Sequence, residues 1–366
     1  MVTGYFPGIN IFFRVDSSYE MGTGHVMRCL TLADELKARN AKVSFVCRDL
    51  PGNLADYIRN KGYPVFILPF QAEEAYPSWL QVDFKTDALE TAQILTACTP
   101  VDCLIIDHYG IDLRWEKLIE ANAAKIIVID DLADRPHLCS IVLDPNSSSD
   151  EDRYHALVPD SCIQLVGTGY AILRPEFRTV RKQLAARDGR IHRILVFFGG
   201  TDPTNDTLKT LQVLNKPQYS YLSIDVVAGK NNRNKVLIED LCSHMANAWF
   251  HCQIDNMAEL MGKADLSIGA GGSSTWERCY LGLPSLSIVT ADNQRAITQH
   301  VHDKGATFCL GDSAEVKPER IEHEINKLLT SPALVKEMSR QALQLMGEDK
   351  WGAVVDLIMG GDHAIH

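Results

Sequence analysis

The sequence predicts an α/β protein built from two doubly wound, Rossmann-like domains that face each other across a cleft. Short apolar runs of four to six residues alternate with segments of helical periodicity along the chain, which is the pattern of a parallel sheet covered by helices. This pattern occurs in two halves, joined by an amphipathic and then basic stretch at residues 175–193. We therefore predict an N-terminal domain at residues 1–187 and a C-terminal domain at residues 188–366.

In the first half, each apolar run that we interpret as a strand leads into a helical segment. Strands are predicted at 11–15, 42–47, 65–68, 103–107, 125–130 and 141–144, with a further short strand at 162–166. Helices are predicted at 25–39, 54–60, 85–96 and 113–123. In such sheets ligands bind at the carboxyl ends of the strands, so the loops that follow the strands are the places to look for chemistry.

The second half repeats this alternation. Strands are predicted at 194–198, 223–227, 248–251, 266–268, 285–288 and 307–310. Helices are predicted at 205–214, 230–242, 256–263, 274–281, 294–304 and 318–331. A second parallel sheet with its own set of ligand-facing loops follows from this order.

The overall charge excludes one class of partner. The formal net charge is −11, whereas binding of bulk nucleic acid requires clustered Lys and Arg. An anionic ligand would have to be held by local groups such as backbone amides and helix N-termini.

Cysteine spacing and hydropathy indicate a cytoplasmic protein without membrane contact. The ten cysteines include no CxxC pair, so neither a zinc ribbon nor a thioredoxin-type motif is predicted. The first residues contain no basic region of the signal-peptide type, and no stretch approaches the ~20 apolar residues that span a membrane.

The loop after the first predicted strand contains Gly22, Gly24 and His25. It fails the dinucleotide-binding pattern GxGxxG because Met27 stands at the third glycine position. His25 lies near a predicted helix N-terminus, where the positive end of the dipole favours a neutral imidazole able to accept a proton. The alternative is a capping or packed histidine without chemistry. The flanking glycines, which allow close approach of a substrate, favour the functional interpretation.

Polar residues also end two later strands of the first half. Asp107 is placed to orient an imidazole and Tyr109 to reach a sugar hydroxyl or a developing oxyanion, the alternative being that Asp107 is an ordinary helix cap. Asp130 and Asp131 would point to opposite sides of a strand, so we predict no metal site there.

The second half supplies two loops suited to phosphate. Gly199, Gly200, Thr201 and Asp202 lead from a strand into a helix, with Thr201 and Asp202 as caps. A second glycine-rich turn follows a later strand and comprises Gly271, Gly272, Ser273, Ser274 and Glu277. Two such loops in one domain favour a nucleotide diphosphate, with the Glu277 carboxylate binding the ribose hydroxyls.

The alternative to this interpretation is a Ser-capped helix in which Glu277 completes a capping box. A P-loop ATPase is excluded because no GxxxxGK[ST] occurs. Asn293 and Gln294 follow another strand of the same half, and their side-chain amides suit sugar hydroxyls.

Together these segments resemble a known family. The motifs RVDSSYEMGTGHVMRCLTLADEL, LIIDHYG, ILVFFGGTDPTN, GAGGSSTWERCYLGLP and the Asp292–Gln294 turn are similar to the UDP-2,4-diacetamido-2,4,6-trideoxy-β-L-altropyranose hydrolases of pseudaminic acid synthesis, relatives of the MurG-like glycosyltransferases. GYAILRPEF resembles the interdomain region of that family. The resemblance covers roughly residues 10–330, leaving residues 1–9 and 347–366 without a usable counterpart.

The resemblance implies a GT-B fold that binds a UDP-linked amino sugar, with the sugar at the N-terminal half and UDP at the C-terminal half. It implies hydrolysis at the anomeric carbon with inversion, without metal or cofactor, and His25 matches the catalytic histidine. Tyr109 and Asn293 match residues near the sugar in that family, and Ser273, Ser274 and Glu277 match its nucleotide-binding block. The full set of predicted substrate contacts is Asp16, Gly22, Gly24, Arg28, Asp107, Tyr109, Asn293 and Gln294. No oligomer is required. The alternatives are a MurG-like glycosyltransferase, a hydrolysing UDP-sugar 2-epimerase and a nucleotide-sugar binding protein without activity.

Overall fold

The computed structural model describes residues 8–71, 78–146 and 152–361. The chain folds into two compact units. The N-terminal unit extends to Ile172 and takes in the chain again from Asp349, and the C-terminal unit is Leu173–Glu348. Each unit contains one parallel sheet, so the predicted α/β class with two Rossmann-like halves is confirmed.

The N-terminal unit has a seven-stranded sheet in the order β3-β2-β1-β4-β5-β6-β7. Its strands are β1 Asn10–Val15, β2 Lys42–Arg48, β3 Val65–Leu68, β4 Cys103–Asp107, β5 Ile126–Ile129, β6 Ile141–Asp144 and β7 Ile163–Val166. Its helices in this part of the chain are α1 Gly24–Ala38, α2 Ala55–Asn60, α3 Phe84–Ala97 and α4 Leu113–Ile119. Successive residues of β1 point to opposite faces, so Phe13 joins the core under α1 while Phe12 joins the core under α3 and α4.

The C-terminal unit has a six-stranded sheet in the order β10-β9-β8-β11-β12-β13. Its strands are β8 Arg193–Phe197, β9 Ser223–Ala228, β10 Ala248–Cys252, β11 Leu266–Ala270, β12 Ser285–Val289 and β13 Thr307–Asp312. The helices are α5 Pro175–Gln183, α6 Asp206–Leu214, α7 Lys235–Ser243, α8 Met257–Lys263, α9 Ser274–Tyr280, α10 Arg295–Asp303, α11 Pro318–Leu329 and α12 Pro332–Met346. Both faces of the sheet are covered, as a parallel sheet requires.

The structure divides the chain differently from the predicted boundary at residues 187/188. Helix α5 precedes that boundary, yet its Phe177 is buried in the core of the C-terminal unit with Met257 and Met261 of α8. The last helix, α13 Trp351–Ile358, returns to the N-terminal unit. Its Trp351 packs into the core under α1, and the Lys350 amide donates to the Gly169 carbonyl at 2.8 Å.

Candidate functional site

The strand order places two pairs of loops together. In the N-terminal unit β1 pairs with β4, with Val15 beside Asp107, and the following helices α1 and α4 cover opposite faces. In the C-terminal unit β8 pairs with β11, with Phe197 beside Gly269. Each pair lies at the point where the sheet order reverses, and ligands of doubly wound sheets bind at this point. The predicted site residues follow these four strands, together with the Asn293–Gln294 segment after β12.

His25 and Asp107 form a hydrogen-bonded pair at the N-terminal switch point. The Nδ1 atom of His25 lies 2.6 Å from Oδ1 of Asp107. Nη2 of Arg28, which can only donate, lies 3.1 Å from the same Nδ1. We assign the Nδ1 proton from the shorter contact, because an ionised carboxylate can only accept, and this assignment leaves Nε2 to exchange a proton. No residue in the described ranges hydrogen-bonds that Nε2, and His25 keeps 8% of its surface exposed. The pair is thus arranged as in a nucleophile-activating dyad, and not as a helix cap.

Arg28 keeps the Asp107 carboxylate ionised. Its Nε and Nη2 atoms each lie 2.5 Å from an oxygen of Asp107, and its Nη1 lies 2.8 Å from Asp131. Burial opposes ionisation, but the guanidinium of Arg28, helped by His25, holds the pKa of Asp107 well below its usual range. Arg28 was expected to contact substrate; the structure instead directs its guanidinium to two carboxylates.

Asp16 likewise faces the interior. Arg14 and Asp16 are two residues apart, so the strand period places them on one face, where Arg14 binds both Asp16 oxygens at 2.6 and 2.9 Å. The Arg48 amide donates to Asp16 at 2.7 Å, and His108 Nε2 lies 3.1 Å from it. Burial opposes ionisation of Asp16, but Arg14 holds its pKa far below the usual range. The prediction that Asp16 contacts substrate is therefore replaced by a structural role, because a fully buried arginine needs a counter-ion.

The two glycines of this loop shape the turn before α1. Gly22 adopts a φ of +77°, and its amide donates to the Ser18 carbonyl at 3.0 Å. Gly24 is exposed and is the first residue of α1, while the N-cap Thr23 makes no capping bond through its side chain. The turn brings the helix start, with His25 as its second residue, to the end of the sheet.

Aromatic rings continue outward from His25. The Tyr109 ring contacts His25 edge-on at a centroid distance of 4.6 Å, and Trp79 contacts Tyr109 at 5.5 Å. Trp79 is 46% exposed. The sequence analysis missed Trp79, which lies in a loop outside any predicted element; a large aromatic residue after a strand was the available signal. Exposed aromatic surface of this kind suits the apolar face of a ligand.

In the C-terminal unit, the loop after β8 is shaped by backbone packing. Gly199 has a φ of +88°, and the Gly200 carbonyl would lie 2.2 Å from a Cβ atom at Gly229. The Asp202 carboxylate accepts from the amides of Asp206 at 3.0 Å and Thr207 at 2.9 Å. Asp202 is buried and caps α6, so its carboxylate faces the helix rather than a nucleotide. Thr201 is half-buried and remains a candidate nucleotide ligand.

The loop after β11 contains two glycines that differ in packing: a side chain would clash at Gly271 and would be accommodated at Gly272. A Cβ atom at Gly271 would lie 1.8 Å from Oγ1 of Thr298 in α10. At Gly272 the nearest atom would be Nε2 of Gln294, at 3.6 Å. Oε1 of Gln294 accepts from the Thr290 amide and hydroxyl at 3.1 and 3.0 Å, which fixes the side chain beside the loop. The structure thus joins Gln294 to the glycine–serine loop, defined here as Gly271–Ser274.

Glu277 lies one turn into α9, and Arg174 holds its carboxylate. Nε and Nη2 of Arg174 lie 3.2 and 3.0 Å from Oε1 of Glu277. Ser273, the N-cap, makes no capping bond through its side chain. The contact with Arg174 therefore replaces the capping box considered above. Asn293 is exposed on the short 3₁₀ turn Asp292–Gln294.

Two further observations concern metals and membranes. Within residues 8–71, 78–146 and 152–361, no group of three or more His, Cys, Asp and Glu side chains is placed to hold a metal ion. Over the same ranges, none of the helices combines the length and the apolar character needed to cross a bilayer.

Comparison with known proteins gives one matching family model and relatives that are similar over most of the chain. Residues 194–350 match the glycosyltransferase family 28 C-terminal domain. The chain is 29% identical over 298 residues to a UDP-2,4-diacetamido-2,4,6-trideoxy-β-L-altropyranose hydrolase of Campylobacter jejuni, covering 81% of this chain and 97% of the relative.

Among solved structures, MurG of Acinetobacter baumannii superimposes with a TM-score of 0.62 at 15% identity, covering 96% of this chain and 99% of that one. The UDP-GlcNAc 2-epimerase of Neisseria meningitidis, solved with UDP-GlcNAc bound, gives a TM-score of 0.56 at 16% identity, covering 96% and 99%. The resemblance found in the sequence motifs is thus confirmed as similarity over most of the chain, and the protein has the GT-B fold of two Rossmann-like halves.

Proposed function

We propose that the protein is a hydrolase that releases UDP from a UDP-linked 2,4-diacetamido-2,4,6-trideoxy sugar, with inversion at the anomeric carbon. The observation that carries the proposal is the Arg28–Asp107–His25 chain at the N-terminal switch point, which leaves one imidazole nitrogen for proton transfer. The similarity to the Campylobacter jejuni hydrolase supports the substrate class.

The chemistry that these groups can perform is a single displacement. Nε2 of His25 takes a proton from water as the water oxygen bonds to C1, and the C1–O bond to UDP breaks with its electron pair leaving on UDP. Before the transfer, Asp107 fixes the tautomer of the neutral imidazole, and after it the ionised Asp107 stabilises the imidazolium. In this proposal the amide of Gly272 and the hydroxyls of Ser273 and Ser274 bind the diphosphate, and Glu277 binds the ribose. The Gly271 amide donates to the Ile288 carbonyl at 3.2 Å and is therefore not a ligand of the diphosphate.

We further propose that this reaction takes place in the cytoplasm, needs no metal ion, and serves pseudaminic acid synthesis. The proposal requires that the candidate sites of the two units act on one substrate molecule. UDP binding and catalysis should then depend on different residues. His25 variants should bind UDP normally and fail to turn over the sugar nucleotide.

A glycosyltransferase is the second candidate, and the match of residues 194–350 to the family 28 domain favours it. The same base would then deprotonate an acceptor hydroxyl in place of water. The two functions differ in one observable: a hydrolase forms free sugar and UDP with water as the only co-substrate. A 2-epimerase would differ by inverting the configuration at C2 of the released sugar.

The test is to follow UDP release and the anomer first formed by NMR, with the purified protein and the UDP-diacetamido sugar. We expect inverted free sugar, at a rate unchanged by EDTA. His25→Ala and Asp107→Asn should each lower kcat by about 100-fold or more, with the Kd for UDP within about twofold of wild type.

The control is His251→Ala, because His251 also pairs with a buried aspartate, Asp225, at 2.9 Å, but lies in β10 away from the candidate residues. This variant should keep wild-type kcat. Near-normal turnover by His25→Ala would end the proposal, and formation of product only with an added acceptor would favour the glycosyltransferase.

A further inference from the structure

A buried arginine lies directly behind the glycine–serine loop. Arg278 in α9 is 1% exposed, and its Nη2 donates to the Ala270 carbonyl at 2.9 Å and to Thr275 Oγ1 at 3.0 Å. Its Nη1 donates to Ser274 Oγ at 3.1 Å. Ala270 immediately precedes the loop and Ser274 ends it, so the guanidinium contacts the residues on either side of Gly271–Ser273.

Arg278 has no counter-ion among the described residues. Its hydrogen-bond acceptors are a carbonyl and two hydroxyls, and its Nε makes no hydrogen bond. Burial lowers the pKa of Arg278 to about 10, so it remains protonated at neutral pH. A buried charge without a partner is costly to the folded protein. By contrast, the buried Arg14 and Arg48 of the N-terminal unit each contact carboxylates.

The contact with Ser274 determines which way the Ser274 hydroxyl can donate its proton. Because Nη1 of Arg278 donates to Ser274 Oγ, the hydroxyl proton of Ser274 must be donated elsewhere. The helix that follows, α9, has only seven residues, so its dipole is a weaker source of positive potential than a full guanidinium charge. These features together suit an anion that would sit on the far side of the loop from Arg278.

We propose that Arg278 is a positioning residue that supplies the buried counter-charge for the diphosphate of UDP, acting through the loop without touching the ligand. It neutralises the diphosphate electrostatically and orients the Ser274 hydroxyl as a donor. This inference rests on the proposed function, since it takes UDP as the ligand of the glycine–serine loop. It also places a basic side chain where the sequence analysis expected amides and helix termini alone.

The test measures UDP and uridine binding by isothermal titration calorimetry for wild type and the variants Arg278→Lys, Arg278→Gln and Arg278→Met. The two neutral variants should weaken UDP binding by about tenfold or more, because a unit charge several ångströms from a diphosphate is removed. Uridine, which lacks the diphosphate, should bind within about twofold of wild type. Arg278→Lys keeps the charge and should retain most of the UDP affinity.

Arg187→Met is the matched control. Arg187 also lies in the C-terminal unit, donates to the carbonyls of Gly282, Ala264 and Met261, and has its pKa lowered to about 10 by burial. It makes no contact with the loop among the described residues. Its loss should change stability without changing the ratio of UDP to uridine affinity.

The outcomes separate the two proposals. If wild type binds no UDP, the proposed function fails. If wild type binds UDP and Arg278→Gln binds it equally well, the inference about Arg278 is overturned; it is also overturned if uridine and UDP lose affinity equally. Arg278→Gln keeps a side-chain donor for Ser274 or Ala270, so it carries the test if Arg278→Met does not fold.

Discussion

At the scale of single residues, charged side chains inside the N-terminal unit are matched to one another over long sequence distances. Arg28 binds Asp107 and Asp131, which are 79 and 103 residues away. The sequence left two roles open for Asp107, orienting an imidazole or capping a helix, and the structure shows its carboxylate against His25. The sequence could not predict that Arg28 faces Asp107, because that contact depends on side-chain direction within the packed unit. The pairing of Arg14 with Asp16 was available from their spacing of two residues on a strand but was not predicted. The glycine-containing turns could be predicted more directly, since the conformation of a turn depends mainly on the residues within it.

Another buried carboxylate of this unit predicts a pH dependence of stability. Asp144 ends β6, and its Oδ2 lies 3.2 Å from the hydroxyl of Tyr154, which also lies 2.9 Å from Asp130. Burial raises the pKa of Asp144 from an ordinary value of 3.8 to about 7, with Arg153 opposing the shift. The folded protein therefore holds a proton that the unfolded chain has released between about pH 4 and pH 7. The free energy of unfolding falls as the pH rises through this window and levels off above it.

Asp144→Asn should remove this dependence, because an amide does not titrate and can donate to Tyr154. We compare the free energy of unfolding of the variant with that of wild type at each pH. This difference should be about 1–2 kcal/mol more favourable to the variant at pH 8 than at pH 5. Urea unfolding at both pH values measures the effect, and Asp160→Asn, an exposed aspartate of the same unit, is the control. Parallel pH profiles for wild type and Asp144→Asn would contradict the assignment.

At the scale of elements, most strands and helices were predicted from periodicity, whereas α7 was begun too early and α12 and α13 were not predicted. The strand predicted at 103–107 is observed as Cys103–Asp107. Helix α7 was predicted from residue 230 but begins at Lys235, because Asn232 forms a turn by accepting from the Asn234 amide at 2.8 Å. Helix α12 was missed although it begins with Pro332 and buries Val335, Met338, Ala342 and Met346 at helical spacing.

The glycine–serine loop gives a prediction that separates packing from binding. Gly271→Ala should lower the free energy of unfolding by about 1–3 kcal/mol, because its Cβ atom would overlap Thr298 Oγ1 at 1.8 Å. Gly272→Ala should change stability by less than about 0.5 kcal/mol, since the nearest atom lies 3.6 Å away. If the loop binds a diphosphate, Gly272→Ala should nevertheless weaken UDP binding. Chemical denaturation and calorimetric titration measure the two effects, and equal losses of stability would contradict the packing argument.

At the scale of the whole molecule, the two units were predicted but their boundary was not. An amphipathic helix such as α5 or α13 shows in its sequence that one face is buried, and it does not show against which core. Helix α5 follows the N-terminal unit in the chain and packs on the C-terminal unit, and α13 does the reverse. The N-terminal unit is therefore built from two separate stretches of chain.

Helix α13 should accordingly determine the stability of the N-terminal unit. Trp351→Ala should lower the free energy of unfolding by about 3–5 kcal/mol, because Trp351 is 3% exposed and fills the core under α1. The control is Trp249→Ala in β10, where the side chain is 48% exposed and the expected loss is below about 1 kcal/mol. Urea denaturation followed by circular dichroism measures both; similar losses would show that α13 does not support this core.

The return of α13 to the N-terminal unit has a consequence for biosynthesis. The ribosome synthesises Leu173–Glu348 before Trp351. The C-terminal unit can therefore form its hydrophobic core while the N-terminal unit still lacks helix α13. Until Trp351–Ile358 has been synthesised, the apolar surface of α1 that α13 helps to cover stays open to water or to chaperones. The first sheet is thus begun before the second sheet and gains its last core helix after it.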